Sequence, residues 1–208
     1  MSGLWISRLR RATRRPLADL VLHGFLELKA LKDRFRATPL PGASEQTLPH
    51  IFDVHDIAEL WERLAEGPFP ISTQPLPRRY FEERYPEEVA RVKADAEEAM
   101  SFTIDILGSG KIEIKTPVNW QADFKNGVEW PLSFFRDIDV NDRGRKSDIK
   151  VPWELSRLQW LTPVAQAFML EKDDRYATFV RDVLLSWIEK NPYGRGANWA
   201  VTMEVAMR

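Results

Sequence analysis

Residues 151–191 read VPWELSRLQWLTPVAQAFMLEKDDRYATFVRDVLLSWIEKN, and their periodicity decides the fold class. Leu155, Leu158, Leu161, Val164, Ala165 and Phe168 recur every three or four residues, the spacing that gathers apolar side chains on one face of a helix. Pro163 should bend that helix, because its ring removes an N–H donor and crowds the preceding turn. Asp173 or Asp174 can cap a second helix, along which Tyr176, Phe179, Val180, Val183, Leu184, Trp187 and Ile188 repeat with the same period. Two such helices joined by so short a turn form a helical hairpin, so the fold is expected to be mainly α.

Toward the C-terminus the NPYGRG loop (191–196) leads to Asn198, which stands where a helix cap would, and WAVTMEVAMR starts another amphipathic helix. That stripe reaches Arg208 without a breaker, and the natural fold is expected to continue beyond it. Upstream, the period changes to two. FTIDILGSGKIEIK (102–115) alternates Phe102, Ile104 and Ile106, turns through Gly108-Ser109-Gly110 and alternates again at Ile112 and Ile114, which predicts one small β-hairpin. Between the two lies an aromatic stretch with Trp120, Trp130, Phe134, Phe135 and a turn at Asn126-Gly127.

Before the hairpin, PLPRRYFEERYPEEVARVKADAEEAM (75–100) supplies one or two helices with Pro86 suited to a first helical turn. In DIAELWERLAE (56–66), Asp56 can cap while Ile57, Leu60, Trp61 and Leu64 make a stripe, and Gly67-Pro68 ends it. Residues 37–55 hold prolines and small polar residues without apolar periodicity, as a connecting segment does. Residues 1–36 form a basic helical head, two helices or one kinked at Pro16, with nine Lys and Arg against three Asp and Glu. A helix packed on the domain with a solvated Arg face is expected there, membrane-surface or nucleic-acid attachment being the alternative.

Composition excludes several function classes. The 208 residues are 44% hydrophobic and 29% charged, with 30 basic and 31 acidic side chains and net charge −1, which describes a globular chain and not a generally basic nucleic-acid binder. With no cysteine, thiolate metal sites and cysteine nucleophiles are out. His23, His50 and His55 match no common zinc spacing, so neither a metal nor a cofactor is expected. No run is long enough to span a membrane, and Asp19, His23, Glu27 and Lys29 interrupt any signal-peptide core, which favours a cytoplasmic over a periplasmic address.

Three segments, NWQADFKNGVEWPLSFFRDIDV (119–140), SDIKVPWELSRLQWL (147–161) and NPYGRGANWAVTMEVAMR (191–208), resemble in order and spacing the heparinase II/III family of bacterial polysaccharide lyases. The resemblance covers residues from about 100 onward well and the preceding helices loosely. It implies an incomplete (α/α) toroid of paired antiparallel helices, with residues 56–208 as the N-terminal part of that lyase domain, ending inside a helix. It also implies β-elimination of a uronic-acid-containing polysaccharide, a uronan or a glycosaminoglycan-like chain. By motif, the resemblance gives Asn198 the role of neutralising the sugar carboxylate, while the family's proton-handling tyrosine and histidine follow the asparagine motif and have no counterpart up to Arg208.

The residues themselves allow that role. Removing the proton at C5 of a uronate builds charge beside a carboxylate, and a fixed amide donor there favours the transition state. As a residue at a helix start, Asn198 would also have the helix dipole beside it, although an ordinary cap explains it equally. Arg157 and Gln159, beside Trp153 and Trp160, can line a cleft or pack a helix. Arg208 can bind a sugar carboxylate or sulfate, or pair with Glu204 four residues earlier. Trp120, Trp130 and Trp199 suit sugar stacking and core filling alike, with core the commoner fate. The rival to a lyase is a non-catalytic helical module that binds an acidic glycan or a partner protein.

Overall fold

A computed structural model describes residues 17–35, 48–66, 77–108, 110–142 and 144–207. The chain divides into two compact units, Met1–Pro41 and Gly42–Arg208. In the first, the described residues form one helix, α1 (Leu17–Phe35), which starts directly after Pro16. Val21, Phe25, Leu28, Leu31 and Phe35 on it are exposed. The part of the predicted head before Leu17 lies outside the described residues.

In the second unit the short helix α2 (Leu48–Phe52) occupies the end of the expected connecting segment. Helix α3 (Ile57–Glu66) follows, and its start is built as the sequence predicts: Asp56 accepts the Glu59 N–H at 2.9 Å while the Glu59 carboxylate accepts the His55 N–H at 2.8 Å. Of its stripe only Leu60 is buried, and Trp61 and Leu64 are exposed. The 75–100 stretch is two helices, α4 (Arg78–Arg84) and α5 (Pro86–Met100), with Pro86 opening the second.

Helices α7 (Thr162–Glu171) and α8 (Asp174–Lys190) make the expected hairpin. Lys172 closes α7 in the left-handed region, its N–H reaching the Phe168 carbonyl at 2.8 Å, and Asp173 caps α8 by accepting the Arg175 N–H at 3.0 Å. Small residues decide how α5 meets α7: Ala96 and Ala99 lie against Val164 and Ala167, with Tyr176 of α8 completing the cluster. The Tyr176 hydroxyl sits between Glu171 (2.9 Å) and Glu97 (3.1 Å) and accepts from Arg175 at 2.6 Å. Burial, then those two carboxylates, push the phenol up to about 12.

The single helix expected over 151–173 is instead three pieces: α6 (Lys150–Ser156), a 3₁₀ turn at Gln159–Leu161, and α7. Leu158 at φ 59° breaks the run. Pro163 excludes a helical carbonyl four residues earlier, at Gln159, so the chain restarts at Thr162 and does not merely bend.

Strands β1 (Thr103–Asp105) and β2 (Lys111–Glu113) pair antiparallel with Ile104 opposite Ile112. Beyond the one hairpin expected, a second small pair, β3 (Ala122–Asp123) with β4 (Val128–Glu129), forms around the Asn126-Gly127 turn. Ile104, Ile106 and Ile114 join Val118, Trp120, Leu155, Leu161 and Val183 in one core cluster. Trp130, Ile138, Ile149, Trp153 and Ala197 make another.

Candidate functional site

The three motif segments converge on the short stretch before α9 (Thr202–Ala206). The 133–135 and 194–196 loops are laced together, Phe135 N–H to the Gly194 carbonyl and Gly196 N–H to the Ser133 carbonyl, both at 2.9 Å. From the second segment, Trp153 donates its indole N–H to the Ala197 carbonyl at 2.8 Å. Gly196 at φ 85° is required twice over, since a Cβ there would also lie 2.6 Å from Gln121 Oε1.

Asn198 is not at a helix mouth. It lies inside the 3₁₀ turn Ala197–Trp199, and α9 begins only at Thr202, after Val201 in extended backbone. Its side chain is fully buried, the amide donating to the Trp120 carbonyl at 3.1 Å and to Asn191 Oδ1 at 2.7 Å. Gln121 completes a buried polar network, donating to Asn191 Oδ1 at 2.7 Å and accepting the Ala197 N–H at 3.1 Å. Asn191 in turn donates to the Trp187 carbonyl at 2.8 Å. The helix-dipole contribution expected at Asn198 is therefore absent here, because the turn preceding α9 absorbs the motif before any helix starts.

Arg157 comes close to this region but is engaged. Its guanidinium forks onto the fully buried Glu204 at 2.9 and 2.7 Å and also pairs with Glu154. The Glu204 hydrogen bonds raise its pKa further above its ordinary value, against the cost of burial. Glu204 is thus held from the end of α6, and Arg208, expected to pair with it, lies outside the described residues. Trp153 is core, and Gln159 is exposed on its 3₁₀ turn. Trp199 is half-buried, donates to the Asn191 carbonyl at 3.2 Å, and packs edge-on to the exposed Tyr193 with ring centroids 4.9 Å apart. Trp199 and Tyr193 are the aromatic surface the site offers to solvent.

A second buried carboxylate, Asp123, supports the loop below. It accepts from the backbone of Lys125, Asn126 and Asp148, from the Asn126 side chain and from Ser147, at 2.8–3.2 Å. Burial by itself pushes this carboxyl up, yet the donors outweigh it and hold it below the usual carboxylate range. Trp120 and Trp130 are buried as core, their indoles donating to Ser186 (3.3 Å) and Ser147 (2.9 Å).

Sequence reasoning passed over Gln121, Asn191 and Asp123. The signal available was weak: polar side chains inside aromatic runs, whose burial depends on contacts 70 or more residues away for the Gln121 pairs. Two clefts of about 270 and 360 Å³ lie elsewhere, one against Thr116–Trp120 and α8, the other between α4, α5 and α7. Neither is lined by Asn198, Arg157 or Trp199. Among the described residues no cluster of three His, Asp or Glu could hold a metal, and no helix is long and apolar enough to cross a membrane.

Residues 87–208 match the family model described as heparinase II/III N-terminus. Over 66 residues the chain is 32% identical to a heparin-sulfate lyase of Bacteroides stercoris, a stretch covering 32% of this chain and 10% of that protein. The chain thus accounts for about a tenth of the length of that curated relative. No solved structure matches it.

Proposed function

Since the chain belongs to the heparinase II/III family through its N-terminal domain, we propose that it is the helical N-terminal portion of a polysaccharide lyase acting on uronic-acid-containing chains by β-elimination. The family match over 87–208 carries this reading. The paired helices α5, α7 and α8 are then the opening pairs of an incomplete toroid. The relationship to a heparin-sulfate lyase makes a glycosaminoglycan the first substrate to try.

In the elimination a base removes the C5 proton, the C5–H electrons form the C4–C5 double bond, and the C4 oxygen departs with its bonding pair and takes a proton. Asn198 would neutralise the carboxylate at C5. To do so its amide has to exchange the Trp120 carbonyl and Asn191 Oδ1 for the sugar. Trp199 and Tyr193 supply a flat apolar surface for the neighbouring ring. Arg157 and Glu204 position the turn from below, Trp153 anchors it, the exposed Gln159 serves as an outer contact, and Arg208 is assigned the sugar carboxylate or sulfate. The acid-base groups are assigned outside these 208 residues, so this chain by itself is expected to lack efficient turnover.

The test is unsaturated-sugar absorbance released from heparan sulfate or alginate by the full-length gene product. Asn198→Ala should lower the rate about 10²- to 10³-fold, beyond the loss of folded fraction read by circular dichroism on the same sample. A folded full-length protein that yields no unsaturated product from any uronan sinks the lyase reading. The burial of Asn198 favours one second reading, a non-catalytic module for acidic glycan. It predicts saturable, salt-sensitive glycan binding without product.

A further inference from the structure

The amides of Gln121, Asn191 and Asn198 each face one way, because each has a main-chain partner of a single kind. Asn191 closes α8, and its Nδ2 donates to the Trp187 carbonyl at 2.8 Å, one of the acceptors that a helix end leaves over. Its Oδ1 is thereby turned away from the helix. Gln121 accepts the Ala197 N–H through Oε1, so its Nε2 is the end that reaches Asn191. Asn198 donates to the Trp120 carbonyl, which fixes Nδ2 as its inward end. The two donors meet on Asn191 Oδ1, which accepts from Gln121 Nε2 and from Asn198 Nδ2 at 2.7 Å each. All three side chains are at most 5% exposed, so their partners have to come from the protein.

Closing a helix needs only the side-chain N–H of Asn191. Its oxygen is put to a second use, gathering one donor from 70 residues away and one from seven. An oxygen with two donors is one that a donor can leave: when Asn198 turns toward a ligand, Gln121 still occupies Oδ1 and no buried acceptor is stranded there. Asn191 also bears on Trp199, but through its main chain, whose carbonyl accepts the indole N–H at 3.2 Å. Substituting the side chain therefore leaves the hold on Trp199 in place.

We propose that Asn191 is the positioning residue of Asn198: its Oδ1 holds the amide in the orientation from which it turns to the sugar carboxylate, and Gln121 keeps that oxygen satisfied afterwards. The proposal rests on the lyase reading above, in which Asn198 neutralises that carboxylate.

Two variants separate the oxygen from the helix cap. Asn191→Ala removes both. Asn191→Asp keeps the oxygen, and its protonated carboxyl, the form that burial favours, also keeps a donor for the Trp187 carbonyl. The first readout is proton–nitrogen NMR of the chain, with the Asn198 side-chain amide assigned by its disappearance in Asn198→Ala. That amide should exchange slowly with solvent in the wild type and in Asn191→Asp, and about tenfold faster in Asn191→Ala. The second readout is elimination by the full-length gene product. Asn191→Ala should lower kcat about 10- to 10²-fold per folded molecule and leave KM within about twofold, since Trp199 keeps its main-chain partner. Asn191→Asp should recover most of that kcat, and its ratio to the wild type should fall as pH rises and the carboxyl ionises.

An Asn198 amide indifferent to Asn191→Ala overturns the proposal, as does an Asn191→Asp enzyme no better than Asn191→Ala, which would leave Asn191 a helix cap alone. Elimination lowered by Asn198→Ala yet intact in Asn191→Ala overturns it while the lyase reading stands. Elimination that survives Asn198→Ala, or a wild type that yields no product, sinks the reading itself and this proposal with it, whatever the spectra show.

Discussion

Asp123 and Glu204 are both carboxylates with no exposed surface, and the protein neutralises them by opposite means. Asp123 is held by neutral donors from two nearby stretches of chain, 125–126 and 147–148. Glu204 is held by a cation, Arg157, from 47 residues earlier. The first arrangement spreads one charge over many weak donors, so losing any one leaves the rest. In the second, losing one residue removes the charge-assisted fork that offsets the burial of a carboxylate. The candidate site rests on both, Asp123 fixing the loop with Trp130 and Glu204 tying α9 to α6.

The largest effect should therefore come from Arg157→Met, which lowers the free energy of unfolding by about 3 kcal/mol in urea titrations. Adding Glu204→Leu should return most of that loss, because a neutral apolar pair no longer carries the cost of a buried carboxylate. A double variant no better than the single would remove the distinction between the two carboxylates. Asp123→Ala should cost less, about 2 kcal/mol, as several donors lose one acceptor but find water or backbone.

The two can also be separated by pH. The Asp123 carboxyl titrates lower in the folded than in the unfolded chain, so the unfolded state takes up the proton first as acid is added. Its stabilisation is present above the unfolded value of about 4 and is lost as pH falls through the folded one. The acid limb of the stability curve should be shallower in Asp123→Asn than in the wild type.

Tyr176 sharpens the comparison from the other end of the scale. With its phenol pushed up to about 12, it stabilises the fold fully below the unfolded value near 10 and loses that contribution as pH rises through the folded one. Tyr176→Phe should remove this alkaline loss, read as thermal unfolding across the same window. The smallest effect is expected for Arg91→Ala: its partner Glu88 is three residues away on α5 and both are exposed, so denaturation should be unchanged within error.

Local chemistry made much of the fold legible in advance. The Asp56 and Asp173 caps, Pro86 at the start of α5, and the β1–β2 alternation were readable because each depends on neighbours within a few residues. The site was less legible. Asn198 looks like a cap because asparagine before an amphipathic stretch usually is one, and only the 3₁₀ turn at 197–199 shows it facing inward. The helical spacing of Glu204 and Arg208 was readable, and Arg208 lies outside the described residues; what spacing could not give is the fork onto Glu204 from Arg157, 47 residues earlier.

Periodicity, proline placement and capping residues by themselves determined that this chain is mainly helical, where helices such as α3, α5 and α8 begin and that residues 174–190 fold back on the helix before them. These are matters of backbone geometry over one or two turns, which neighbouring side chains dictate. Which polar groups are buried, and which partner each one finds, was settled only by tertiary packing. Gln121, Asn191 and Asn198 share a network because distant segments enclose them together, and inside that enclosure each donor has to take the nearest acceptor since water is absent.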